Sequence, residues 1–494
     1  MPAADENDEN NYQIPWAKIS EACHTAEVSY EKTAKVAPNR WVVSKSPARI
    51  DFAGDDLGSS VELDVAVCQC CIEAMKLNFL NTQCPIGAKA RRISTPEIRL
   101  TVSSSFDHRN ETYHQLTCTT LEDFDNHSDP CTPCALLKAC IVYAGIVEVA
   151  DKGKRTLQEL LARTFDDGLG AEGIELHAWS SLPQGTGLGC SSILAGTILA
   201  ALGVLVGRKY DMQSLVHAVL HVEQIFTTEM PKSVHSSPFI SHLRNDFSTY
   251  SNHSILVLQK RWWLARSGLV VPNNTSQPSS SDPHATFCLR PTDQIGGFLL
   301  GVKLSSSDAS LPLRVTWSNV ELPAGFMELL ESRLLLVYTG HSRLAKNLLR
   351  NVVGHWERRS DVVVKTFDAL VSEAEEQAVA FQQGSLSTIG RLLTSYFAHK
   401  RHLSSTTLAH PPLLSPLLSL IEPHAYGYAL SGAGGGGFLV VVLKEETDRN
   451  ALVVEIKQQF GEDEVVWDVK VDRVGLTVEV LEAGLEVTEP SARY

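Results

Sequence analysis

Two α+β domains are what this sequence predicts. Strand-like and helix-like segments alternate along it, and the later ones form strand–helix–strand units with antiparallel return. Glycine-rich turns join strands to helices at several points. The 494 residues, 44% hydrophobic and 20% charged, suffice for two or three domains with cores of their own.

In order, residues 41–56 (WVVSKSPARIDFAGDD) read as a strand entering a glycine turn, and 57–83 as irregular. Apolar spacing from Ala135 to Val149 is helical, and residues 173–181 alternate like a strand. A glycine-rich turn then opens an apolar run, and 212–227 has the period of a second helix. Residues 230–291, rich in Ser, Pro, Asn and His, break the pattern and read as an insertion. Order returns at Asp293. A buried strand is expected over 334–340, long amphipathic helices over about 355–385 and 386–404, and a glycine run with its strand over 427–443. A helix near 448–460 and a strand at 464–471 close the domain.

A formal net charge of −14 with no long basic run argues against a nucleic-acid surface. The start, MPAADENDENNYQ, lacks the charged-then-apolar pattern of a signal peptide. Eleven cysteines without a repeating framework then suit reduced thiols and a cytoplasmic setting. Cys68, Cys70 and Cys71, and the lone Cys131–Cys134 pair, read as ordinary thiols rather than metal ligands. Leu188 to Gly207 carries no charge and has the length of a membrane span, but its Gly, Ser and Cys favour a buried core helix.

The strongest chemical signal runs from Pro183 through Gly185, Gly187, Leu188, Gly189 and Cys190 to Ser191 and Ser192, opening that helix. Glycines allow a ligand close to the backbone, and a helix N-terminus presents unpaired N–H groups, so the pair makes an anion site. No Gly-Lys-Ser/Thr follows, and the third glycine comes one residue early for G-x-G-x-x-G. On local chemistry alone, a tightly packed turn explains the run as well as a phosphate site does. Glu223 lies on one stripe with Val216, Val219, Leu220 and Phe226. A carboxylate there must be paired or must hold a cation, and taken alone a salt bridge is the commoner way to satisfy it.

P-x-x-x-G-L-G-x-S-S resembles the second motif of the GHMP kinases. Ser46-Pro-Ala-Arg49-Ile-Asp-Phe-Ala-Gly54 resembles the first, and Ser431-Gly432-Ala-Gly434-Gly435-Gly436-Gly-Phe438 the third. The wording of LPQGTGLGCSSILAG, LLLVYTGHSRLAKNLL and GAGGGGFL is similar to the L-fucokinase branch of that family, and heptose kinases share parts of it.

The resemblance implies a two-domain GHMP fold, with an N-terminal half like domain 2 of ribosomal protein S5 and a ferredoxin-like α/β C-terminal half. It implies ATP between them, on the second-motif residues and Gly432, Gly434, Gly435 and Gly436. It makes Glu223 a Mg²⁺ ligand, with Ser191 as first choice for its hydroxyl partner and Ser192 next. Asp293 becomes the catalytic aspartate, and Arg49 the guanidinium that holds it near the transferred phosphoryl group.

The domains expected are an acidic, disordered tail over 1–40, an ATP-binding domain over 41–228, a disordered insertion over 229–291, a C-terminal domain over 292–485 and a tail over 486–494. The activity implied is phosphorylation of L-fucose to L-fucose 1-phosphate, with no nucleic acid or membrane as partner. Two departures from the family keep other readings open. After Gly54 the sugar-holding run is replaced by Asp55-Asp-Leu-Gly-Ser-Ser60, and 229–291 replaces a short glycine-rich link. A catalytically impaired sugar or nucleotide binder and a kinase for a heptose phosphate are the alternatives. An exon lost after Gly54 and an intron translated over 230–291 would explain both departures, and messenger RNA would then lack codons 230–291.

Overall fold

The computed structural model describes residues 28–54, 61–69, 84–104, 112–129, 132–170, 172–182, 186–225, 292–307, 314–339, 360–404, 414–432, 434, 436–461 and 466–482. Most of the tail, the insertion and the segment after Gly54 lie outside them, as do Pro183, Gly185, Gly435, Cys70, Cys71 and Cys131.

The first part of the chain supplies strands β1 Tyr30–Lys32, β2 Val42–Ser46, β3 Ala48–Ala53, β4 Val61–Gln69, β5 Ile86–Ile93, β6 Ile98–Ser104 and β7 Thr112–Cys118. Helices α1 Ala135–Tyr143 and α2 Leu157–Thr164 precede β8 Gly173–Ser180, then α3 Cys190–Leu205, β9 Arg208–Tyr210 and α4 Met212–Ile225. The second part runs α5 Thr292–Phe298, β10 Val302–Ser307, β11 Val315–Asn319, α6 Phe326–Arg333, β12 Leu334–Tyr338, α7 Asp361–Gln383, α8 Leu386–Ser404 and α9 Leu414–Ile421. It ends with β13 Ala425–Leu430, β14 Phe438–Leu443, α10 Arg449–Phe460, β15 Val466–Trp467, β16 Val469–Val471 and β17 Thr477–Val480.

These strands form three larger sheets. One has the order β17-β2-β5-β8-β6-β7, antiparallel except where β6 runs beside β8. Helix α3 packs on its β2 and β5, and being apolar all round it is buried there rather than in a membrane. No helix among the described residues is long and apolar enough to cross one. A second sheet has β4 at its centre, with β3 on one edge, β10 then β11 on the other, and β16 at its far end. The third, β13-β14-β12-β15, is antiparallel, and its central strands LLLVY and FLVVVL read as apolar runs because both faces are covered. Helix α8 lies on β13, and α7 on β3 and β4, so this pair ties the third sheet to the second.

The sequence reading needs four corrections. Residues 61–69 are not irregular but form β4, whose alternation places Leu63, Val65 and Val67 in the core. The polar lead-in is not structureless to residue 40, since Tyr30–Lys32 pairs antiparallel with Arg208–Tyr210. The strand expected at 464–471 is two strands that join different sheets, β15 beside β12 and β16 beside β4. Finally, the first two sheets are not completed within residues 41–228. β10, β11, β16 and β17 return to pair with β4 and β2, so the polypeptide closes its first two sheets only after crossing the third.

Candidate active site

The three glycine-bearing segments meet at one point. The backbone N–H of Arg49 donates to the carbonyl of Leu188 (3.3 Å), joining the first segment to the second. Gly187 has φ +78°, and a Cβ on it would lie 2.5 Å from the carbonyl of Ser431 and 2.7 Å from the nitrogen of Gly432. Only a residue without a side chain lets the second segment press so closely on the third. The Phe438 N–H also reaches the carbonyl of Thr186 (3.4 Å). Gly434 and Gly436 continue the third loop with positive φ, as Gly432 does.

Gly189 is the N-cap of α3 in the left-handed region, and no side chain caps the helix. Among the described residues the N-cap side chain supplies no acceptor to the first-turn amides, which suits an anion at that end. Cys190 follows; burial pushes its thiol up to about 12, so it stays neutral beside Thr186. Ser191 is exposed, while Ser192 is buried on the next 100° step of the helix.

It is Ser192, not Ser191, that faces Glu223. Its Oγ donates to Glu223 Oε1 and lies 3.1 Å from Asp293 Oδ2. Gln294 Nε2 donates to the other Glu223 oxygen (3.0 Å). Arg49, on β3 and 1% exposed, donates from Nε to Asp293 Oδ1 (2.7 Å) and also pairs through Nη2. Its Nη1 lies 2.9 Å from Asp51 Oδ1. The side chain of Asp293 is 30% exposed, whereas those of Arg49, Asp51 and Asp64 are sealed, so Asp293 is the face this cluster turns to solvent.

Sequence reasoning missed the layer behind these residues. Asp51 Oδ2 accepts from Lys400 Nζ (2.7 Å) and the Tyr396 hydroxyl, and Oδ1 accepts from the Gly432 N–H (3.2 Å). Asp64, opposite Asp51 on β4, lies 3.9 Å from Arg49 Nε, and neither of its oxygens has a hydrogen-bond donor among the described residues. Burial raises its pKa, more than Arg49 and Lys303 lower it. Lys303, its neighbour across β10, is pulled down by its own burial and donates to the carbonyls of Gly296, Leu299 and Gly301. Two signals were available: Asp51 shares a strand face with Arg49 at i+2, and Lys400 sits on the apolar stripe Leu386, Ile389, Leu393, Tyr396, Leu403.

The donor set fits a magnesium ion. The Ser192 hydroxyl has one proton but stands against two carboxylates, so one oxygen–oxygen contact is left for a cation to bridge. Magnesium takes few protein oxygens and completes its shell with water and phosphate. No group of three His, Cys, Asp or Glu side chains suited to a metal occurs among the described residues. The ion would rest on Glu223 and Ser192 together with a ligand phosphate, beside Asp293.

Comparison with known proteins bears on the family of the chain. Residues 153–235 match the N-terminal domain of GHMP kinases, and 377–462 match the GHMP kinase C-terminal domain. The first match spans the α3 loop and Glu223; the second spans Tyr396, Lys400 and the third glycine loop. The L-fucokinase/L-fucose-1-P guanylyltransferase of Bacteroides fragilis is 27% identical over 331 residues, covering 66% of this chain and 27% of the relative. The bifunctional fucokinase/GDP-fucose pyrophosphorylase of Arabidopsis thaliana is 23% identical over 339 residues, covering 69% and 24%. The match thus spans about a quarter of the length of these curated relatives. A crystal structure of Lactococcus lactis galactokinase complexed with galactose superimposes with a TM-score of 0.50 at 13% identity, covering 89% of this chain and 95% of that one. At that identity the likeness shows the fold alone.

Proposed function

We propose, from a chain that carries the N- and C-terminal domains of a GHMP kinase, that it moves the γ-phosphoryl group of ATP to a sugar hydroxyl. L-fucose is the sugar this reading names and L-fucose 1-phosphate the product. The observation that carries the reading is the half-buried Asp293, held by Arg49 beside the N-terminus of α3.

The amides of the first turn of α3 and the glycine backbone around it receive the phosphates. The anomeric hydroxyl of the sugar lies against Asp293, which takes its proton as the oxygen bonds to the γ-phosphorus. The bond from that phosphorus to the β–γ bridging oxygen breaks, and ADP leaves with the electron pair. Arg49 fixes the carboxylate through Oδ1, so its orientation does not depend on the sugar. Magnesium, when bound, neutralises charge on the phosphates. Sugar selectivity is assigned from the likeness to the two fucokinases, since residues 55–60, where the family holds its sugar, lie outside the described residues.

The test is product analysis by phosphorus NMR after incubation with Mg-ATP and, separately, L-fucose, galactose or a heptose phosphate. A sugar 1-phosphate formed from L-fucose alone supports the full reading. Product only from a heptose phosphate keeps the kinase and replaces the sugar. Folded protein that binds ATP and turns over none of them is a binder rather than an enzyme.

A further inference from the structure

The third glycine loop is mostly glycine, and both backbone polar groups of its Gly432 are held by buried charged side chains. The N–H of Gly432 donates to Asp51 Oδ1 at 3.2 Å, and its carbonyl accepts from Lys400 Nζ at 2.5 Å. Lys400 also donates to Asp51 Oδ2, and its ammonium lies 3.9 Å from the centre of the Tyr396 ring. Tyr396 in turn donates to that same carboxylate oxygen. Asp51 therefore accepts from Gly432, Lys400 and Tyr396 while lying 2.9 Å from Arg49 Nη1, and it is 4% exposed. These partners come from β3, from α8 some 345 to 349 residues later, and from the loop 381 residues later.

This carboxylate stands at a junction. On one side is Gly432, whose peptide is the surface on which Gly187 of the α3 loop rests. On the other is Arg49, which fixes Asp293. A buried carboxylate and a buried ammonium are costly to leave single and stable as a hydrogen-bonded pair, so the arrangement has one low-energy geometry. That geometry sets the distance between the two glycine loops and the angle of Arg49 together.

We propose that Asp51 and Lys400 are positioning residues for the phosphoryl transfer, a charged clasp that holds the third glycine loop against the α3 loop and thereby fixes the nucleotide. Neither touches substrate. Asp51 acts on the nucleotide through Gly432 and on Asp293 through Arg49, whereas Lys400 acts through Gly432 and Asp51. The two therefore differ in what their loss does: Lys400 governs nucleotide affinity, and Asp51 governs affinity and turnover alike. The inference rests on the kinase reading above.

The experiment uses the full chain and measures ADP and ATP affinity by calorimetry, KM for ATP, kcat and the unfolding midpoint. Lys400→Met is expected to weaken nucleotide binding and raise KM for ATP about tenfold, with kcat lowered far less. Asp51→Asn should raise KM similarly and lower kcat about tenfold or more, because Arg49 loses a partner. Lys400→Arg, which restores a donor to both Asp51 and Gly432, should recover most of the affinity. Should both primary variants fail to fold, Tyr396→Phe, which deletes one hydrogen bond to the same oxygen, decides: a raised KM for ATP supports the clasp and an unchanged one overturns it. Folded Lys400→Met with wild-type nucleotide affinity overturns the proposal alone. Wild-type protein that binds no nucleotide overturns the kinase reading and the clasp with it.

Discussion

Arg49 spends two of its N–H groups on a single oxygen of Asp293, Oδ1, and leaves Oδ2 to Ser192. A third nitrogen, Nη1, goes to Asp51. The guanidinium thus spans two carboxylates from different parts of the chain, a geometry that a point charge cannot copy. The aspartate it fixes is the exposed one, and the aspartates behind it are sealed.

Arg49→Lys keeps the charge and loses the fork. One ammonium cannot serve Asp51 and Asp293 in their present positions, so Asp293 swings. We expect kcat to fall about 10²-fold with KM for ATP changed far less, as steady-state kinetics at saturating sugar would show. A proportional rise in KM would instead place Arg49 on the nucleotide.

Glu223→Gln removes the charge that, with Asp293, calls for a cation at Ser192. The Mg²⁺ concentration giving half-maximal rate is expected to rise about tenfold, and Ser192→Ala should raise it less. Ser191→Ala should leave it unchanged, because Ser191 points to solvent. Titration of activity with Mg²⁺ at fixed ATP separates the three.

Gly189→Ala forces a side chain into the left-handed region at φ +72° and places its Cβ 3.1 Å from Arg49 Cγ and 3.2 Å from Asp293 Oδ1. The backbone strain alone costs about 1–3 kcal/mol. Thermal unfolding should report a lower midpoint, and kcat should fall beyond what stability explains, because the new methyl pushes on the pair that performs the transfer.

Asp167 offers a pH test away from the site. The hydrogen bond from the buried Arg92 holds its carboxyl below the usual carboxylate range, helped by the Leu169 N–H. The folded pKa is lower than the unfolded one, so the unfolded chain binds more protons in acid. Its stabilising contribution is therefore complete above the unfolded value and is lost as pH falls through the folded one. Asp167→Asn should lower the unfolding midpoint at neutral pH by about 1 °C, for a loss of ~1 kcal/mol. It should also flatten the decline below pH 4. An unaltered acid limb would contradict the assignment.

The glycine loops, Arg49, Asp293 and Glu223 were legible because each stands in a local run whose residue types carry chemistry by themselves. Ser191 and Ser192 were not separable, since neighbouring residues on a helix differ by 100° and no local signal says which faces the carboxylates. Asp51 lies in plain sight two residues after Arg49, but its importance comes from Tyr396, Lys400 and Gly432, and pairings across such sequence distances leave no periodicity to read. Strand β4 is legible in the alternation of Val61, Leu63, Val65 and Val67 with Glu62 and Asp64, but it lies inside the run after Gly54 that departs from the family pattern, which hides it. Asp64 is buried all the same, beside Lys303, and only the neighbouring strand reveals why such a residue is tolerated there.

The central claim is that Asp293 accepts the proton of a sugar hydroxyl held beside ATP. The most direct measurement is ADP release from Mg-ATP with L-fucose by the wild-type chain and by Asp293→Asn, with nucleotide affinity measured on the same preparations. We predict sugar-dependent ADP release by the wild type, lowered about 10²–10⁴-fold in the variant while its affinity for ATP changes little. Equal turnover by the two proteins would contradict the role given to Asp293, and with it the reading of the cluster as the place of transfer.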